Sequence, residues 1–140
     1  MEKTPQECPF CEPKQRILVQ NDVAYLMLSN PRKVEGHTLV IPHRHVERPW
    51  ELSTEELAGI FKLVNLAQER LLAAFATGVD TRQHYRPFLP ESKFKVNHVH
   101  FHVMPRTFED TLYANADVHE GKLFADLLPD EHDRVASLFS

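Results

Sequence analysis

Residues 97–106 read Asn97-His98-Val99-His100-Phe101-His102-Val103-Met104-Pro105-Arg106, with imidazole and apolar side chains in strict alternation from 98 to 103. On a strand, successive side chains point to opposite faces. The alternation predicts a strand over 95–104, ended by Pro105, with three imidazoles on one face. Val99, Phe101 and Val103 fall on the other face, where they can pack under a helix. The imidazoles have no such packing use. Adjacent imidazoles cannot all be protonated cheaply, because like charges this close depress one another's pKa. They are expected to stay largely neutral near pH 7, as nucleophiles, general bases or metal ligands. For a single His, a solvated strand face is the simpler reading; three in register weigh against it. Two chemistries stay open. His residues at i and i+2 can chelate a catalytic zinc with a third ligand from elsewhere, or one His attacks phosphorus while a neighbour assists.

Outward from this strand, the chain divides into recognisable elements. In residues 16–28 two β-prone runs flank Asn21-Asp22, which predicts a hairpin. A polar loop from Ser29 ends at Gly36, and His37-Thr-Leu-Val-Ile-Pro42 is a third strand stopped by its proline. Ser53-Thr-Glu-Glu56 has the form of a capping box. Behind it Leu57, Ile60, Phe61, Val64, Ala67 and Leu71 recur at helical spacing, with Gly78 as the stop signal. A short fourth strand is expected over 83–89, and two short helices over 122–128 and 130–139. The economical architecture is α+β: an antiparallel sheet of about five strands with one long helix packed on it.

Composition narrows the function. The 140 residues include 16 basic and 20 acidic side chains, for a formal charge of −4, which argues against a nucleic-acid-binding face. Only four glycines occur, all isolated at 36, 59, 78 and 121, so no glycine-rich phosphate cradle can form. No apolar stretch approaches the length of a membrane span, and residues 1–7 lack the basic and apolar regions of a secretory leader. A cytoplasmic protein without membrane or nucleic-acid partners is expected. Both cysteines lie in Cys8-Pro-Phe-Cys11, a spacing that fits a metal half-site or a redox pair. Pro13 follows closely and no helical stripe begins there, which weighs against the redox reading.

The triad run resembles the His-x-His-x-His-x-x signature of the histidine triad (HIT) superfamily of nucleotide hydrolases and transferases. Gly36-His37-Thr-Leu-Val-Ile-Pro42 is similar to that family's Gly-His-x-Leu-Val-x-Pro strand. Val46-Glu-Arg48 and Met104-Pro-Arg106 resemble the fragile-histidine-triad branch, which cleaves dinucleoside polyphosphates. The resemblance covers residues 8–106 of a single domain over 1–140 and leaves 107–140 as a C-terminal extension. It implies a HIT-type hydrolase or nucleotidyltransferase acting at the α-phosphate of a nucleotide ester, anhydride or phosphoramidate. His100 would attack phosphorus to give a covalent nucleotidyl-histidine. His102 would hydrogen-bond the phosphate or leaving group, His37 would position both, and Ser29 and Asn30 would meet the ribose. The alternatives are a nucleotide-binding module with little turnover and a hydrolase in which His100 and His102 hold a catalytic zinc.

The same resemblance implies a structural zinc held by Cys8, Cys11, His45 and His98, no organic cofactor, and a homodimer. His43, His84, His119 and His132 are read as surface residues. The sequence departs from the family just before the triad. Where many members carry Gly-Gln-Ser or Gly-Gln-Thr, this chain has Lys93-Phe94-Lys95, and alternation points both lysines away from the triad face.

Overall fold

Ile17–Gln20 (β1) and Ala24–Leu28 (β2) pair antiparallel across Asn21-Asp22. Asn21 makes the turn: its Oδ1 accepts from the backbone N–H groups of Val23 and Ala24, both at 3.0 Å. Its Nδ2 donates to the Gly59 carbonyl at 3.0 Å, tying the hairpin to the long helix. Thr38–Pro42 (β3), Gly78–Arg82 (β4) and Phe101–Arg106 (β5) complete an antiparallel sheet ordered β1-β2-β3-β5-β4. This is the α+β architecture expected from the sequence, seen in a computed structural model that describes residues 7–140. The reading of residues 1–7 as leaderless falls mostly outside that range.

Thr54–Ala74 forms the long helix α1. Its capping box is complete, with Glu56 N–H donating to Ser53 Oγ (3.1 Å) and Ser53 N–H to Glu56 Oε1 (2.9 Å). Both bonds satisfy donors that a helix start leaves without intrahelical partners. Glu56 also accepts from Arg44 Nε and Nη2, at 3.1 and 2.7 Å, which fastens the loop after β3 to the helix start. Ile60, Leu63, Val64 and Ala67 are buried against Leu26, Val40, Phe101 and Val103 on the sheet. Burying each large aliphatic side chain contributes about 1.5–3 kcal/mol, so this layer is the main source of cohesion.

The opposite face of the sheet is covered by the segment at Cys8–Phe10, which packs on Tyr25, Met27, Leu39 and Ile41. The Tyr25 hydroxyl donates to the Phe10 carbonyl, so this short segment is held by a hydrogen bond as well as by apolar contact. At Gly36, φ is +83°, and a Cβ there would lie 3.0 Å from both Phe75 Cζ and Pro105 Cγ. Glycine is required on both counts.

Several local expectations are corrected. The fourth strand is Gly78–Arg82, not 83–89, because Gly78 opens the strand instead of capping the helix. The helix ends at Ala74, where the N–H groups of Phe75 and Ala76 both reach back to the Leu71 carbonyl. The fifth strand begins at Phe101 rather than Lys95: the chain bends at Asn97-His98, Val99 N–H donates to the Val46 carbonyl in the loop after β3, and the ladder with β3 starts only at Phe101. Leu57 and Phe61 lie at the margin of the helix stripe, about two-fifths exposed, while Leu63 takes the central place.

The chain divides into two compact units, Met1–Phe108 and Glu109–Ser140. The second contains Thr111–Asn115 (α2), a 3₁₀ segment Asp117–Leu123, Glu131–Ala136 (α3) and a 3₁₀ turn Ser137–Phe139. The helix expected over 130–139 is present as α3 and its 3₁₀ continuation. The one expected over 122–128 is not, since 124–128 is irregular between Gly121 and Pro129 and too short to nucleate. Helix α2 forms instead, started by Asp110, whose side chain accepts from Tyr113 N–H at 2.9 Å. Among the described residues, no helix is long and apolar enough to cross a membrane.

Candidate active site and metal centre

Leu39 of β3 pairs with His102 of β5, so His37, two residues earlier on the same face, is its diagonal neighbour. His37 Nε2 lies 2.9 Å from His102 Nδ1. On its far side, His37 Nδ1 accepts from the Lys33 backbone N–H at 3.1 Å. These contacts fix the tautomers by elimination. A Nδ1 that accepts leaves the His37 proton on Nε2, which donates to His102 Nδ1, so His102 carries its own proton on Nε2. His100 has the opposite tautomer. Its Nδ1 lies 2.7 Å from the His98 carbonyl, which can only accept, so Nδ1 bears the proton and Nε2 keeps its lone pair.

All of these imidazoles are held neutral. Burial, chiefly, pushes His37 down to about 4 and His102 down to about 3, with Lys33 and His100 adding to the first and His100 and His37 to the second. His100 is also lowered by burial, partly offset by its bond to the His98 carbonyl. Their neutrality is the one expected from the sequence, but desolvation, not mutual repulsion, is its larger cause.

Two clefts meet at His100 and His102. One, of about 430 Å³, has an apolar wall of Phe10, Met27, Leu39 and Val96, with Ser29 and Asn30 on its border. Lys14, Arg32, Lys33 and Lys93 also line it, and no carboxylate does among the described residues. Lys93 therefore lines one cleft shared with His100 and His102, and Lys95 the other, contrary to the expectation from alternation, because the turn at Ser92–Lys95 breaks the strand period. The Ser29 hydroxyl donates to the Pro31 carbonyl at 2.8 Å, so only its lone pairs are open to a ligand. The second cleft, of about 490 Å³, is lined by Glu47, His84, Tyr85, Arg86 and Lys95.

His84 is the site residue that the sequence reading missed. It was expected on the surface, but its ring stands 5.6 Å from that of His102, edge to face. A strand placed at 78–82 carries the signal. Arg82 pairs with His102, so a residue two positions further on continues along the triad face. His43, by contrast, is exposed and bonds the Asn21 carbonyl, and His119 and His132 are exposed as expected.

On the same side of the sheet, Cys8, Cys11, His45 and His98 converge, with their ligand atoms within 4.8 Å of one another. Sγ of Cys8 is 3.4 Å from His98 Nδ1; Sγ of Cys11 is 3.2 Å from His45 Nδ1 and 3.5 Å from His98 Nδ1. Zinc bonds of about 2.3 Å to sulfur and 2.0–2.1 Å to nitrogen place tetrahedral S and N ligands about 3.5 Å apart. The donor set fits that shell. Both imidazoles are also oriented for it, since His98 Nε2 donates to the Pro42 carbonyl (2.8 Å) and His45 Nε2 lies 2.9 Å from Glu47 Oε2. Each leaves Nδ1 as the lone-pair nitrogen, the arrangement that supports metal-bound histidine. Burial and the neighbouring Cys8 push the Cys11 thiol up to about 12 in the metal-free protein. Four ligands close the shell and leave no open position for catalysis.

Comparison with known proteins agrees with the fold. The HIT domain family matches residues 11–109. An uncharacterized HIT-like protein of Methanocaldococcus jannaschii is 32% identical over 71% of this chain and 78% of its own length. The asymmetrical bis(5'-nucleosyl)-tetraphosphatase of Schizosaccharomyces pombe is 33% identical over 63% of this chain, which matches half of that protein's length. Among solved structures, a HIT-family member from Bacillus subtilis aligns over 94% of both chains at a TM-score of 0.69 and 21% identity. A zinc-bound histidine triad protein from Mycobacterium smegmatis aligns over 78% of this chain and 81% of its own, at a TM-score of 0.60 and 23% identity. A match spanning most of the chain, with the sheet order and histidines described above, makes this protein a member of the HIT domain family.

Proposed function

We propose that this protein is a nucleotide hydrolase or nucleotidyltransferase that acts at the α-phosphate of a nucleoside phosphate ester, anhydride or phosphoramidate, dinucleoside polyphosphates included. One observation carries the reading: His100 is locked in the tautomer that leaves Nε2 free, at the junction of the two clefts. Neutral imidazole is a competent nucleophile, and covalent capture divides a difficult displacement into two easier steps. The similarity to a bis(5'-nucleosyl)-tetraphosphatase supports the same class of substrate.

In the first step His100 Nε2 bonds to phosphorus as the bond to the leaving atom breaks and its electron pair departs. His102 Nε2–H donates to a phosphoryl or leaving-group oxygen, and His37 holds His102 in that donating state. Lys14, Arg32, Lys33 and Lys93 draw the polyanion into the first cleft. Phe10, Met27 and Leu39 offer the nucleoside an apolar wall, with Ser29 and Asn30 beside the ribose.

Cys8, Cys11, His45 and His98 would hold a structural zinc. When bound, zinc neutralises the two thiolates and fastens the N-terminal segment, through Cys8 and Cys11, to the loop after β3 and the start of the triad. No organic cofactor is needed. The chain works as one HIT-like domain over 1–140, with its core at 8–106 and an extension at 107–140. It acts as a cytoplasmic homodimer on small nucleotides, without nucleic-acid or membrane partners. Leu57, Phe61, Leu72 and Phe75 of the helix region are each more than two-fifths exposed, which suits a partner's surface. A monomer in sedimentation at micromolar concentration would overturn the dimer.

His100→Asn is expected to fold normally and to lose turnover by at least about 10³-fold. Mass spectrometry after a rapid alkaline quench should find one nucleotidyl adduct on His100 in the wild type and none in the variant. A nucleotide-binding module would bind AMP without forming the adduct. A catalytic zinc on His100 and His102 would make turnover sensitive to chelation without any covalent adduct.

A further inference from the structure

We propose that His84 is the general base that activates the water which cleaves the nucleotidyl-His100 intermediate. The inference rests on the covalent reading above and goes one step past it, to the group that completes the cycle.

The second step needs a lone pair near phosphorus to take a proton from water, and most candidates are already committed. His102 spends its Nδ1 lone pair on His37 and carries a proton on Nε2, so it can donate but not accept. His37 is bonded at both nitrogens, to Lys33 N–H and to His102. His100 is itself the group being displaced. Glu47, the carboxylate of the second cleft, is tied through Oε2 to His45 Nε2 at 2.9 Å, so protonating it would loosen an imidazole of the metal-ligand set. His84 differs from all of these: among the described residues its ring nitrogens have no hydrogen-bond partner, and its ring lines the second cleft.

Its position is built by the sheet. The pairing of Arg82 with His102 sets β4 beside the triad strand, and His84 follows the end of β4 on the same face. Gln83 Nε2 donates to the His84 carbonyl at 2.8 Å and holds the backbone there. The rings of His84 and His100 stand 5.6 and 4.9 Å from that of His102, and all three line the second cleft, from which water can approach phosphorus on the side opposite His100. Burial, followed by Arg86 and Lys33, keeps His84 below the ordinary imidazole value, and its lone pair is available at neutral pH.

The step balances. Water oxygen bonds to phosphorus while the P–Nε2 bond to His100 breaks and its electron pair returns to Nε2. The water proton passes to His84, which then releases it to solvent, and the nucleoside monophosphate leaves. The first cleft holds the nucleotide throughout, and the second cleft, vacated by the leaving group, admits the water.

The test uses the full-length protein with adenosine 5'-(p-nitrophenyl phosphate), whose leaving group departs without a proton. In rapid mixing, His84→Gln should release a first equivalent of p-nitrophenolate at the wild-type rate. It should then turn over about 10²–10⁴-fold more slowly, with the His100 adduct accumulating and KM falling along with kcat. His84→Ala should behave alike and recover turnover with added imidazole. Equal slowing of the burst and of turnover, or no change in either, would overturn the role of His84. A wild type that neither releases p-nitrophenolate nor forms the adduct overturns the covalent reading instead.

Discussion

Binding of zinc to the metal-free protein should release two protons, and the number follows from the four contacts. In their neutral forms His98 and His45 present Nδ1 as a lone pair, because their Nε2 atoms face a carbonyl and a carboxylate, and a neutral imidazole binds without losing a proton. The two cysteines must each lose one, since only thiolate is a metal ligand. For Cys11 the loss is costly: lowering a group from about 12 to below 7 requires roughly 7 kcal/mol of preferential interaction with the cation. Coordination to zinc must outweigh this cost, which is why the apparent affinity depends on pH. Between pH 7 and 8, affinity should rise toward a hundredfold per pH unit, the slope for two protons released. Titration calorimetry in buffers of differing ionisation enthalpy counts the protons directly. Cys8→Ser should release one proton, weaken binding and expose Tyr25 and Met27 as the N-terminal segment lifts from the sheet. Zinc uptake without proton release would refute the thiolate site, and uptake unchanged in Cys8→Ser would remove Cys8 from it.

Two further outcomes concern the scaffold beneath the site. Glu56 is held from 4.5 down to about 2, mainly by its hydrogen bonds with Arg44. Because the folded value is the depressed one, its stabilisation is present above pH 4.5 and disappears as pH falls toward 2. The shift corresponds to roughly 3 kcal/mol, reduced by the half-exposed position of Arg44. Glu56→Gln should therefore lower unfolding free energy by about 2 kcal/mol at pH 7, with the difference from wild type vanishing near pH 2 in denaturant titrations. Gly36→Ala should cost about 2–4 kcal/mol, from positive φ and from crowding against Phe75 and Pro105. A thermal midpoint within a degree of wild type would contradict that account.

Much of the site was legible because it rests on local rules. The alternation from His98 to Val103 does separate imidazoles from core side chains, although His98 and His100 precede the strand proper. The capping box at Ser53 needed only residues 53 and 56, and it is complete. Elsewhere the local rules misled. Gly78 satisfies a helix stop and a strand start equally well, and only pairing with Arg106 decides between them. Lys93 was turned from the triad by a period that the Ser92–Lys95 bridge interrupts.

By itself, then, the chain's order of residues determined which side chains could do chemistry: three imidazoles in alternating register, a glycine-histidine pair and a two-cysteine segment. Those are short-range properties, readable from strand and helix periods. Tertiary structure alone decided how the histidines divide. His98 faces Cys8 and Cys11 and turns its other nitrogen to Pro42, whereas His100 turns to the His98 carbonyl and His102 to His37. Tautomer, burial and partner are properties of contacts between residues up to 90 positions apart. The same pairing of distant strands brings His84 to the triad, which no reading of residues 83–89 in isolation could supply.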